Sequence, residues 1–439
     1  MTEVEDGMEV RIAPASWDGV IAEEGISYRY EPDGTYDLVA ACDIGTTTVV
    51  CHLIDGKSGK KLATSSAPSA QRGFGADVLS RVQAAGAGNL ELLHSQITGQ
   101  IRQMLDEMRR QTGRNDDIMR LAVSGNTVMC HLLAGISPAS IGVTPFMPEE
   151  FFGRSFSGDA IGLPVEEVYI APAVAGYVGG DITSDLLVVM PQHEDEETLL
   201  LDIGTNGEMV LGHGDDYLCC ATAVGSAFEG AELTMGMPAA VGAISHVYLD
   251  ARRLRVEVIG DGVATGICGS GLLDALAVLL EMGLVDSMGM IREANEVSVA
   301  YRRYLGTYEK QTCIWLTPEV CLTQEDIRDL QLAKAAFAAG MQILLEERGI
   351  RVEQVERVIL AGGFGSYLDR ESAAAIGLIP RELLPVTTSV GNAAGEGAVC
   401  AALSQSAQTH LEKIRQSMHY IELSAHSGFG EAYMQQMDF

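Results

Sequence analysis

Twice along this chain an unbroken apolar run ends in the same tetrapeptide, Asp-Ile-Gly-Thr, at residues 43–46 and again at 202–205. Each copy continues the same way: LVAACDIGTTTVVCHLID in the first, TLLLDIGTNGEMVLGH in the second. An apolar run without alternation is a strand covered on both faces, and the acid and glycine that close it mark a tight turn into a second strand. Later in each copy, LAVSGNTVM and VILAGGFGS supply a further strand, a glycine turn and a helix start. One large α/β unit is therefore used twice. This predicts two related lobes, each a mixed sheet covered by helices, with a ligand cleft between them. No shorter period of 20–50 residues occurs, which excludes solenoids and propellers.

The expected organisation follows. Residues 1–37 are acid-rich, with Arg11 and Arg29 as the only bases, and read as a linker or weakly structured appended piece. Residues 38–195 form the first lobe, with helices expected over 77–85 and 89–112, and residues 196–388 form the second. Residues 389–439 are expected to return to the first lobe. The acidic run 193–197 reads as a solvated crossing between lobes.

Glycine turns at strand ends suit phosphate. Gly45 leaves no side chain between backbone amides and a ligand, and Thr46, Thr47 and Thr48 add amide and hydroxyl donors. Asp43, at the strand end, is placed to hold magnesium through water. Asp202, Gly204, Thr205 and Asn206 repeat that chemistry. Either tetrapeptide alone is also what an ordinary turn uses; the duplication is what points to a ligand. Gly362, Gly363, Phe364 and Ser366 form a strand–glycine–helix element read as a cradle for a nucleoside or its first phosphate, or as a close packing turn. Two stretches of small residues, 124–127 and 391–398, read as helix crossings about which lobes rotate, or as tight packing. Lys334, in a helical stretch, reads either as lying along an adenine or as a snorkelling surface lysine.

Charge narrows the function classes. With 60 acidic and 29 basic side chains, the formal charge is −31. Such a surface repels nucleic acid and anionic membranes. The N-terminus is acidic where a secretion signal is basic, and the long apolar stretch 262–285 is broken by Asp274 and Glu281. A cytoplasmic protein is expected. Nine scattered cysteines without a Cys-x-x-Cys pair are expected to be reduced thiols, with Cys219 and Cys220 as buried strand residues.

Five elements occur in the order phosphate, connecting, phosphate, adenosine, connecting that characterises the acetate/sugar kinase, heat-shock ATPase and actin superfamily, whose lobes are actin-like or ribonuclease H-like. Longer strings narrow the likeness: AFEGAE at 227–232, GICGSGLLD at 266–274, LQLAKA at 330–335, GGD at 179–181 and YIELS at 420–424. Across about residues 38–439 the chain resembles the ATPase domain of the reductive activators of corrinoid proteins. The resemblance implies ATP and Mg2+ as ligands, Asp43 and Asp202 as organisers of the metal, and Asp181 or Glu229 orienting the attacking water. It also implies a corrinoid, cobalamin-carrying protein as partner, reductive return of Co(II) to Co(I) as the task, and a homodimer. Such activators usually carry an iron–sulfur module. Because no cysteine precedes Cys42 or follows Cys400, no cluster is expected in these residues, and electrons are expected from a separate donor. A small-molecule kinase of the same superfamily and an activator of a radical dehydratase are the competing readings.

Overall fold

The computed structural model describes residues 8–12, 30–75, 77–190, 195–204, 206–222, 228, 233–260, 262–362 and 368–439, with the side chains of Glu9–Ile12 excepted. The chain divides into two compact units. The first comprises Met1–Asp195, His213–Cys219 and Val390–Tyr420, the second Glu196–Gly212, Cys220–Ser389 and Ile421–Phe439. The last fifty residues are thus shared: their first part belongs to the first unit, and 421–439 to the second.

In the first unit β1 (Glu9–Ile12), β2 (Leu38–Ile44), β3 (Thr48–Asp55), β4 (Lys61–Pro68), β5 (Arg120–Ser124), β6 (Arg154–Ser157) and β7 (Glu167–Ile170) form one sheet, in the order β1-β4-β3-β2-β5-β7-β6. β2, β3 and β4 are antiparallel neighbours, while β2, β5 and β7 run parallel. The helices are α1 (Val78–Ala84), α2 (Leu90–Thr112), α3 (Thr127–Leu133), α4 (Gly158–Ile161) and α5 (Gly180–Val189). The 23-residue α2 buries Leu93, Ile97, Ile101, Met104, Leu105 and Met108, one face at helical spacing. Each such side chain contributes about 1.5–3 kcal/mol by leaving water. Gly113 ends it in a left-handed conformation.

Of the N-terminal piece, residues 8–12 and 30–37 are described. Glu9–Ile12 pairs antiparallel with β4 at the sheet edge, and Asp33 is docked on the chain's own helices, accepting from the Gln405 amide at 2.7 Å and the Ser404 hydroxyl at 3.3 Å.

In the second unit β8 (Thr198–Ile203) lies between antiparallel β9 (Gly207–His213) and parallel β17 (Arg357–Ala361). Between β9 and β17 the chain adds β10 (Asp216–Thr222), β11 (Ala243–Asp250), β12 (Arg253–Val258), β13 (Gly266–Ile267), β14 (Leu305–Tyr308), β15 (Gln311–Trp315) and β16 (Cys321–Thr323). These include two three-stranded sheets, β12-β11-β13 and β14-β15-β16. α6 (Gly269–Glu281) and the 25-residue α7 (Gln324–Arg348) supply most of the helical cover; α7 starts with a reciprocal cap between Thr323 and Asp326. α8 (Arg370–Ala375) and β18 (Thr387–Gly391) follow. The chain closes with α9 (Ala393–Leu403), α10 (Gln405–Ser417), β19 (Met418–Tyr420) and α11 (Phe429–Gln435). No described helix is long and apolar enough to cross a membrane.

Candidate nucleotide site

Asp43 is the next-to-last residue of β2, opposite Val50 on β3 and Ser124 on β5. Because β2, β5 and β7 run parallel, the turns that follow all three gather at the same sheet edge, where open α/β sheets bind ligands. After β2 comes the turn at 45–48. A Cβ on Gly45 would stand 2.7 Å from the Thr48 carbonyl oxygen, so only glycine lets the backbone close this tightly. Thr46 is buried, while Thr47 and Thr48 are exposed.

After β5, Asn126 caps α3 by accepting from the Met129 amide at 2.9 Å, and its Nδ2 donates to the Thr46 hydroxyl at 3.1 Å. After β7, the loop into α5 presses on that turn. A Cβ on Gly179 would lie 2.6–2.8 Å from the Asn126 Cα, the Thr127 nitrogen and the Gly125 carbonyl. The close approach brings Asp181 to the turn: its amide donates to the Gly125 carbonyl at 3.3 Å and its Oδ1 accepts from the Ile182 amide at 2.9 Å.

Asp43 and Asp181 are half-buried and act on each other. Burial pushes the Asp43 carboxyl up to about 7, Asp181's charge adds to the rise, and a hydrogen bond from Asn392 opposes it. Burial likewise raises Asp181 to about 6, against backbone amides that stabilise its charge. Asn392 spends its Oδ1 on the Gly395 amide at 2.8 Å as the cap of α9, which leaves its NH2 for Asp43. A nearby cation would relieve two desolvated carboxylates that repel each other. Among the described residues no three His, Cys, Asp or Glu side chains are placed to enclose a metal. A hard ion held by few carboxylates and water, as magnesium is, fits these donors.

The second unit builds a similar corner by itself. Asp202 sits opposite Glu208 on β9 and Ala361 on β17, repeating the antiparallel and parallel flanks of Asp43. The turn closes with the Gly204 amide donating to the Asn206 carbonyl at 2.9 Å. Gly362 has φ +83, and a Cβ there would stand 2.2 Å from Asp202 Oδ1. Any other residue would displace that carboxylate. Thr205, Glu229, Gly363, Phe364 and Ser366 lie outside the described residues.

Two expectations are corrected. Lys334 is no surface lysine: it is 1 % exposed, donates to the Gln436 and Asp438 carbonyls at 2.6 Å each, and stands 5.3 Å from the centre of the Phe439 ring. Burial lowers its pKa to about 8, with Asp438 opposing. The ammonium is engaged by the chain's own last residues. Nor are all cysteines reduced: Cys42 and Cys51 are direct partners in the β2–β3 register, 4.3 Å apart at Cα, and form a disulfide. The other seven are buried and outside any disulfide.

Sequence reasoning missed Arg81 and the role of Asn392. Arg81 stands on the face of α1 that buries Val78 and Val82; a cation at an apolar helical position was the available signal. Asn392 carried none, because its partner is 349 positions away in the fold's register rather than on its own element.

Comparison with known proteins agrees with this fold. A family model described as the C-terminal domain of RACo, the ASKHA domain, matches residues 196–439, and one described as the RACo middle region matches 38–193. The corrinoid activation enzyme RamQ of Eubacterium limosum is 35% identical over 411 residues, 90% of this chain and 69% of that protein. The [Co(II) methylated amine-specific corrinoid protein] reductase of Methanosarcina barkeri is 25% identical, covering 77% of this chain and 65% of that one. The solved structure of a reductive activator for corrinoid, iron–sulfur protein superposes with a TM-score of 0.81 at 36% identity, over 92% of this chain and 66% of that one. This chain thus spans about two thirds of the length of these relatives. It belongs to the RACo family of corrinoid activators and carries that family's middle region and C-terminal ASKHA domain.

Proposed function

We propose that this protein is an ATPase that uses nucleotide binding and hydrolysis to help return an inactive Co(II) corrinoid protein to Co(I). Family membership supports the task. The observation that carries the ATP half is the pairing of Asp43 with Asp181 beside the turn at 45–48.

In this reading the amides and hydroxyls of Gly45, Thr46, Thr47 and Thr48 hold phosphate oxygens. In the second unit, Asp202 with Gly204, Thr205 and Asn206 repeats this role, and the element opened by Gly362, through Gly363, Phe364 and Ser366, takes the adenosine end. Lys334, with its ammonium already engaged, serves the fold rather than the adenine. Asp43 in the first unit and Asp202 in the second are the carboxylates proposed to organise magnesium, which would neutralise charge on the transferring phosphoryl group. Asp181 orients the attacking water: its raised pKa keeps it near the range in which a carboxyl accepts a proton at neutral pH. Glu229 is the other candidate for that task. The phosphoryl group goes to water, giving ADP and phosphate.

One electron converts Co(II) to Co(I), and it comes from a separate low-potential one-electron donor. ATP acts by favouring one form of the complex, which requires nucleotide states to differ in affinity for the corrinoid protein. A homodimer in the cytoplasm completes the reading.

The test is ATP turnover with and without a cobalamin-loaded carrier protein, with small sugars and carboxylic acids screened alongside. Stimulation by the carrier with phosphate as the only phosphorylated product is expected. A phosphorylated small molecule would replace this reading with a kinase.

A further inference from the structure

Arg81 is fully buried on the short helix α1, and among the described residues no carboxylate forms an ion pair with it. A buried cation costs several kcal/mol unless its surroundings compensate it; the charge of Asp77, the cap of α1, favours it, and its hydrogen-bond partners add to that. Its Nη2 donates to the Thr46 carbonyl and its Nη1 to Met129 Sδ at 2.9 Å. The Met129 amide donates to Asn126 Oδ1, and Asn126 Nδ2 donates to the Thr46 hydroxyl. These four contacts close a ring that ties the turn after β2 to the helix after β5. The Ser69 amide takes the next carbonyl, that of Thr47, at 2.8 Å.

In a planar trans peptide, the carbonyl and the following N–H point in opposite directions. With the Thr46 and Thr47 carbonyls drawn toward Arg81 and Ser69, the amides of Thr47 and Thr48 are turned to the opposite side. We infer that Arg81 is the positioning residue of the turn at 45–48, fixing which way its amides face and placing a positive charge behind them, and so setting affinity for a polyphosphate. The guanidinium stays charged at neutral pH, since burial lowers its pKa only to about 10. The inference rests on the reading of this turn as the phosphate site.

The experiment uses the full chain and three variants, Arg81→Met, Arg81→Lys and Met129→Leu. MgATP and adenosine binding are measured by calorimetry, and amide exchange at Thr47 and Thr48 is measured without nucleotide. Arg81→Met is expected to weaken ATP about tenfold or more while adenosine changes by less than about twofold, with KM rising more than kcat falls. Exchange at both amides is expected to quicken. Arg81→Lys keeps the charge but cannot reach Thr46 and Met129 together, and recovers part of the loss. If Arg81→Met does not fold, Met129→Leu still opens the ring, and a loss of ATP affinity of about twofold to fivefold is expected. Unchanged ATP affinity and exchange in the folded variants would overturn the inference, as would equal losses for ATP and adenosine. Failure of the parental protein to bind ATP would overturn the phosphate reading instead, and the exchange measurement would then judge the positioning role by itself.

Discussion

At the scale of single residues, several atoms beside the strand-ending acids have no room to move. Gly362 combines a left-handed backbone with a Cβ position 2.2 Å from Asp202 Oδ1. Gly362→Ala must therefore both strain the backbone and push the carboxylate aside. We expect its ATP turnover to fall by about tenfold or more with the melting temperature lowered by a few degrees, measured by phosphate release and calorimetry. Asp43→Asn acts in the opposite sense on stability. The parental carboxyl has a folded pKa raised to about 7, so its contribution to stability is full below about pH 4 and is lost as pH rises through 7. In metal-free buffer at pH 8, Asp43→Asn is expected to melt higher than the parent and to hydrolyse ATP hardly at all. Both glycine and acid were legible in the sequence, because a strand-ending acid followed by glycine is a local pattern. Arg81 and Asn392 were not, because their meaning lies in partners that only the sheet brings together.

At the scale of elements, buried charge ties β4 to α9. Lys61 and Glu396 form an ion pair whose side chains are 5% and 8% exposed, one turn beyond the Asn392 cap that reaches Asp43. Removing one partner strands the other, so Lys61→Met is expected to cost about 3–5 kcal/mol, while Lys61→Met with Glu396→Leu recovers most of it. Urea unfolding of the four members of that cycle checks this. Beside the pair, burial and the Lys61 charge depress His52 to about 3. The unfolded chain takes up that proton near pH 6.5 while the folded one does not, so stability drains as pH falls from 6.5 toward 3, by at most about 1.4 kcal/mol per pH unit. His52→Gln is expected to flatten that slope by up to one proton in urea melts at pH 5 and 7. α9 also lies close on α5: a Cβ on Gly397 would stand 2.3 Å from the Ser184 carbonyl. The strands were readable from their unbroken apolar runs, and the α2 helix from its spacing. The edge strand Glu9–Ile12 escaped notice because its acidic surroundings hide four residues that gain stability only by pairing with β4.

For the whole molecule, the duplication seen in the sequence reappears as the same local construction in each unit. An acid ends a central strand, with an antiparallel neighbour on one side and a parallel one on the other. What the sequence pattern could not convey was how the chain's end is shared. The tail 421–439 belongs to the second unit, where Lys334 and Gln331 hold its carbonyls. That explains why a lysine in a family-like string serves packing. The central claim concerns the coupling of ATP to cobalt, and one measurement reaches it most directly. A Co(II) corrinoid protein and a one-electron donor are mixed with this protein, and Co(I) is followed by its visible absorption with ATP, with ADP and with a non-hydrolysable analogue. Co(I) that accumulates with ATP, in step with phosphate release, and fails to accumulate with Asp43→Asn is the predicted result. Co(I) formation that is equally fast without nucleotide, or ATP hydrolysis indifferent to the corrinoid protein, would contradict the account.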